Sequence, residues 1–191
     1  MNAELQKIDT YLSGHGFHKK SYFELSKDKH GHPLVSSTTI EAYCYDDVSS
    51  HFFRIKTASA DAIVLKDSLY FIEFKSIRSC DRDADKYKII KQNLFLKLGE
   101  SLFLLNKYLN PSAGATCNYK KYFIIVVNSI SSPTTAMAGS MSGLARGAYS
   151  PTSFPTVFGK YRQWFNGSPV FYDDVMVWND INFSAEVCRL R

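Results

Sequence analysis

Two short apolar segments separated by Lys66-Asp67-Ser68 constrain this chain more than any other feature. Ala60-Asp61-Ala62-Ile63-Val64-Leu65 and Leu69-Tyr70-Phe71-Ile72-Glu73-Phe74-Lys75 are rich in β-branched and aromatic residues and read as the arms of one hairpin. With a three-residue turn between them, Leu65 faces Leu69, Ile63 faces Phe71, and Asp61 falls across from Glu73 on the same face. Opposed side chains in an antiparallel pair have Cβ atoms roughly 4.5 to 5.5 Å apart, and like charges placed there repel. The pattern therefore demands a compensating positive charge, and a hard divalent cation taking oxygen ligands meets that demand. Lys75, two residues beyond Glu73, points to the same side of its strand.

The rest of the chain supplies a frame for such a hairpin. Leu5, Ile8 and Leu12 recur at helical spacing before Gly14 and Gly16, which predicts a helix over residues 2–13. A second short helix is expected from Ser37 to about Val48, and a strand over Phe52–Thr57, making three antiparallel strands between residues 51 and 76. From about Asp83 to Leu109 an apolar stripe of Tyr87, Ile90, Leu94, Leu98, Leu102, Leu105 and Leu109 drifts as a 3.6-residue period should, and predicts a long helix. Lys121–Asn128 is a continuous apolar run suited to an interior strand. Residues 129–159 are rich in Ser, Thr, Ala, Gly and Pro and read as a long flexible loop, and Val170–Trp178 returns to a β-like pattern. The expected fold is α/β, a mixed central sheet flanked by helices, in one domain spanning residues 1–191.

Composition narrows the function classes. The 191 residues are 45% hydrophobic and 15% aromatic, enough for a sheet-containing core. A formal charge of +5 leans mildly towards a polyanionic partner. Cys44, Cys80, Cys117 and Cys188 are far apart, make no zinc-ligand spacing, and read as reduced structural thiols. No apolar run is long enough to span a membrane, and the N-terminus lacks a hydrophobic signal segment, so the expectation is a cytoplasmic protein without a membrane partner.

Glu73-Phe74-Lys75 is the single acidic-x-Lys triplet of the chain, ends an apolar strand, and has an aspartate in matching register across the turn. With these residues the chain resembles the PD-(D/E)xK nuclease superfamily, the restriction-endonuclease-like fold, over roughly residues 37–128. The shared core of that superfamily runs helix, three strands, helix, strand. The resemblance implies a magnesium-dependent deoxyribonuclease, an endonuclease, with Asp61, Glu73 and Lys75 as catalytic residues. Asp61, Glu73 and the Phe74 backbone carbonyl would be ligands of Mg²⁺, for which Mn²⁺ can substitute, and Lys75 would orient or activate the attacking water. Glu41 is the candidate for a further acidic ligand from the first core helix, ahead of Glu24 and Glu4. Ala60 stands where the family often has proline, and Gln92-Asn93-Leu94-Phe95-Leu96 replaces the Gln-x-x-x-Tyr motif of some members.

Lys88, Lys91 and Gln92, with Lys86, Lys97, Arg78 and Arg82, are candidates for contacts to nucleic acid, DNA before RNA, while the same lysines also suit the solvated side of a helix. Lys160, Arg162, Trp164 and Phe165 mix cations with rings in a way that suits stacking on bases or ordinary packing. Three alternatives stay open: a catalytically inactive nucleic-acid-binding or assembly module of the same fold, an unrelated α/β protein that binds a protein partner, and a plain surface ion pair between Glu73 and Lys75. Self-association into a homodimer is also left open.

Overall fold

The structure, a computed structural model, describes residues 2–36, 40–53, 57–75, 84–109, 118–127 and 172–187, and the side chains of 84–88 are outside the described set. Among the described residues six strands form one sheet in chain order, β1 (Lys19–Ser21), β2 (Glu41–Cys44), β3 (Ala62–Leu65), β4 (Leu69–Lys75), β5 (Lys121–Val127) and β6 (Asp174–Asn179). The first four are antiparallel neighbours, and β5 and β6 add in parallel to β4. Among the described residues the helices are α1 (Ala3–Gly14), α2 (Tyr22–Leu25), α3 (Tyr45–Phe52), α4 (Ala84–Leu104) and α5 (Asp180–Glu186).

The hairpin has the register its sequence dictates. Leu65 pairs with Leu69, Ile63 with Phe71 and Ala62 with Ile72, and the turn closes with Lys66 N–H donating to the Ser68 carbonyl. Alternation then sorts each strand between two cores. Ile63, Leu65, Leu69, Phe71, Phe123 and Ile125 face α1, α3 and α4, packing on Leu5, Ile8, Val48, Leu94 and Leu98. Ala62, Val64, Ile72, Ile124 and Val126 face the other way, onto Tyr22, Phe183 and Val187. β5 is buried on both faces, which is why it reads as an unbroken apolar run. Burial of side chains such as Phe71 and Phe123, both fully covered, contributes about 1.5 to 3 kcal/mol each.

Helix α1 begins where Asn2 accepts from Glu4 N–H, and it buries Leu5, Ile8 and Leu12 as the spacing predicts. The long helix is present as α4 and continues into a wider π-type turn over Leu105–Leu109. Two expectations fail. The segment read as a helix from Ser37 to Val48 is instead β2 followed by α3, because Ala42 and Tyr43 point to opposite cores and fit a pleated strand. The expected strand over Phe52–Thr57 is also wrong at its start, since Phe52 closes α3 and both Phe52 and Phe53 pack on the same core. Thr57–Ala60 carries no strand pairing. The proposed loop at 129–159, Arg78, Arg82, the ring-and-cation stretch at 160–165, and Cys80, Cys117 and Cys188 lie outside the described residues. Among the described residues no helix is long and apolar enough to cross a membrane.

Candidate active site

The two carboxylates of the hairpin do converge, and helix α4 is what holds them. Glu73 sits on β4 facing α4, and its side chain is 2% exposed. Asp61 lies one residue before β3, at the position that extends the register opposite Glu73. Its Oδ2 accepts from the Phe74 N–H at 2.6 Å, which fixes the carboxylate against the outgoing strand. Between them stands the ammonium of Lys97, 2.6 Å from Glu73 Oε2 and 3.1 Å from Asp61 Oδ1.

The next turn of α4 fastens the segment that leads to Asp61. Ser101 Oγ accepts from Ala60 N–H at 2.9 Å, Glu100 accepts from Ala58 N–H, and the Ser101 carbonyl takes the Tyr45 hydroxyl at 2.9 Å. Lys97, Glu100 and Ser101 share one helix face because residues three and four apart stack above each other. Ala58 and Ala60 therefore obtain from α4 backbone partners that they lack in the sheet, and small side chains suit the enclosed positions of Ser59 and Ala60. Asp46, in the first turn of α3, accepts from Ser59 Oγ at 2.6 Å and contributes a third negative charge within electrostatic reach of Asp61 and Lys97.

Electrostatics at the site are those of an incompletely neutralised cluster. Burial first, then the charge of Asp61, raises the Glu73 carboxyl well above its ordinary range, against the opposing pull of Lys97 and Lys75. The Asp61 carboxyl is also raised, by burial foremost, with Lys97 and the Phe74 N–H opposing. Lys97 is raised despite its own burial, because Glu73 and Asp61 outweigh the loss of water, so it remains an ammonium. Lys97 and Lys75 together do not offset burial and the charge of Asp61, so Glu73 keeps its proton to a higher pH than a solvated glutamate does.

Asp61 also opens onto solvent. With a side chain 21% exposed, it helps line a cleft of about 530 Å³, together with Asp46, Phe74, Lys20, Lys27 and Asp180 among others. Five carboxylates (Glu24, Asp28, Asp46, Asp61 and Asp180) and two lysines line this cleft, and both lysines are already paired, Lys20 with Asp47 and Lys27 with Glu24.

The structure separates the candidates read from sequence. Asp61, Glu73 and Phe74 come together, and Lys75 follows on the same face of β4, close enough for its charge to act on Glu73. The Phe74 group that contacts Asp61 is its N–H, a donor. Glu41 does not join them. It opens β2 rather than sitting on a helix, pairs with Ser21, and lies four residues from Tyr45, whose N–H meets the Asp61 carbonyl, a displacement of about 13 Å along the strand. It lines a separate depression with Lys19, Ile63 and Lys66. Lys91 lies 5.9 Å from the Phe95 ring centroid and Gln92 is exposed, while the side chain of Lys88 is outside the described residues. His51 belongs to an aromatic cluster with Phe17, Phe52 and His15. His30 and His32 close a loop whose N–H groups bind Asp28, which lowers the Asp28 carboxyl.

Sequence reasoning placed Lys97 among phosphate-binding lysines and overlooked Asp46. The available signal for Lys97 was its position between Leu94 and Leu98 on the buried stripe, where a lysine needs a partner. Among the described residues no three side chains of metal-binding type lie close enough together to hold an ion by themselves. The two carboxylates nevertheless fit Mg²⁺ in chemistry, since this ion accepts one or two protein carboxylates and keeps several waters. No family model, curated protein or solved structure matches the chain.

Proposed function

We propose that the protein is a divalent-metal-dependent nuclease of the PD-(D/E)xK type that hydrolyses phosphodiester bonds in DNA. The observation that carries this reading is the convergence of Asp61 and Glu73 at the end of the hairpin, with Lys75 next on the same face and within electrostatic reach of Glu73. The order β2, α3, β3, β4, α4, β5 supports it, since it contains the three strands, helix and strand expected of that core, with α3 inserted between the first two strands.

Asp61 and Glu73 would hold the metal. When bound, Mg²⁺ supplies Lewis-acid stabilisation of phosphate charge and a more acidic water. The chain's own contributions follow from its geometry. The Phe74 N–H holds Asp61 in one orientation, and α4 holds the approach to it through Ser101 and Glu100. Lys75 supplies a positive charge beside the acidic pair, suited to steadying a water or the charge that develops on phosphate. The acidic lining of the cleft attracts divalent cations and would repel a bare phosphate backbone, so nucleic acid binds there with its charge offset by metal.

The test is incubation of the purified chain with double- and single-stranded DNA and with RNA, in Mg²⁺ or Mn²⁺ and in chelator. Metal-dependent cleavage is expected, abolished by Asp61→Ala and by Lys75→Ala while both variants keep a cooperative melt. Cleavage retained in both variants, or absent from the wild type on every substrate, refutes the reading. One observation favours the inactive module instead: Lys97 already bridges the two carboxylates. That alternative predicts nucleic-acid binding that survives chelator, falls steeply with salt, and shows no turnover.

A further inference from the structure

We propose that Lys97 is a built-in counter-ion that holds the acidic pair together without metal and competes with a divalent cation for the same oxygens, so that this lysine sets metal occupancy. The inference rests on the reading above only in taking Asp61 and Glu73 as the metal ligands.

Geometry supports it at three points. The ammonium lies 2.6 Å from Glu73 Oε2 and 3.1 Å from Asp61 Oδ1, so one cation touches both carboxylates that a metal would use. Glu73 is 2% exposed and Lys97 19% exposed, so water does little to screen the pair, and a vacated Glu73 would be a buried, uncompensated charge. The helix turn that bears Lys97 is pinned to the Asp61 segment by Ser101 and Glu100, so the ammonium is delivered to this place by the fold.

An ammonium and a dication cannot share these oxygens at such distances, because two positive charges a few ångströms apart in a poorly screened site repel strongly. Lysine, unlike arginine, is a compact charge on a flexible stem and can withdraw without dismantling a forked contact. Asp46, whose charge already acts on the Lys97 ammonium, offers the withdrawn side chain a second negative partner. Metal uptake is then an exchange of Lys97 for the dication, and it is weaker than two buried carboxylates alone would give.

Titration calorimetry with Mn²⁺ alone tests this on wild-type protein and two variants of opposite expected sign. Lys97→Met removes the competing charge and should bind Mn²⁺ at least about tenfold more tightly, with a lower Tm in chelator and a larger upward Tm shift on adding Mn²⁺. Lys97→Arg keeps the charge in a planar fork that grips both carboxylates and should bind Mn²⁺ more weakly than wild type, which keeps the idea testable if Lys97→Met does not fold. Lys97→Met affinity equal to wild type, or Lys97→Arg affinity above it, overturns the proposal. If wild type cleaves DNA in that event, the nuclease reading stands without it. Opposite shifts in the two variants together with a wild type that never cleaves uphold the role of Lys97 and refute the nuclease. Absence of Mn²⁺ binding in all three proteins overturns both.

Discussion

Replacing Glu73 with glutamine should remove a loss of stability that wild type suffers as pH rises. Glu73 is buried and its carboxyl titrates well above the ordinary value of 4.5, from burial and from Asp61. The folded chain therefore binds a proton that the unfolded chain has already lost at the same pH. Stability depends on pH through the difference in bound protons, unfolded minus folded, which is negative in this window. The contribution is fully present below the unfolded pKa and is lost as pH rises through the folded pKa. One proton corresponds to at most about 1.4 kcal/mol per pH unit. Glu73→Gln keeps the size and an oxygen to accept from Lys97, which retains Asp61 at 3.1 Å, and it brings the cluster from two carboxylates per ammonium to one. Urea denaturation in chelator, from about pH 5 to about pH 8.5, should show the variant gaining on wild type as pH rises, with a slope approaching that limit at its steepest. Comparing the two proteins cancels the titrating groups that do not interact with Glu73. Parallel curves, or a gap that widens towards low pH, would refute the electrostatic account of the site.

Two further outcomes follow from the packing around it. Ser101→Ala removes the acceptor for the buried Ala60 N–H and should cost roughly 1 to 3 kcal/mol in chemical denaturation; a variant as stable as wild type would show that α4 does not brace the Asp61 segment. Tyr22 is fully buried against Phe74 and Phe183, and its hydroxyl has no partner among the described residues, so Tyr22→Phe should stabilise by about 1 kcal/mol, and a loss of that size would reveal a missing acceptor.

The site was half legible before folding. Asp61 and Glu73 could be placed together because hairpin register follows from turn length and a period of two, both local. Glu41 was misplaced because its surroundings were read as a helix, and four strand residues separate it from the level of Asp61. Lys97 was visible as a charge on a helix, but its partners lie 24 and 36 residues away, and no local pattern encodes a pairing of that length. Asp46 was unread for the same reason, since the turn of α3 that carries it depends on β2 ending at Cys44.

Alternation along the hairpin, the drifting stripe of α4 and the unbroken run of β5 are properties of neighbouring residues, and they determined the helix, the paired arms and the opposition of two acids. Which charge answers that opposition was decided in three dimensions. The parallel return of β5 beside β4 sets α4 across the acidic face of the sheet, and the depth at which Lys97 then meets Glu73 follows from helix packing rather than from any short stretch of sequence.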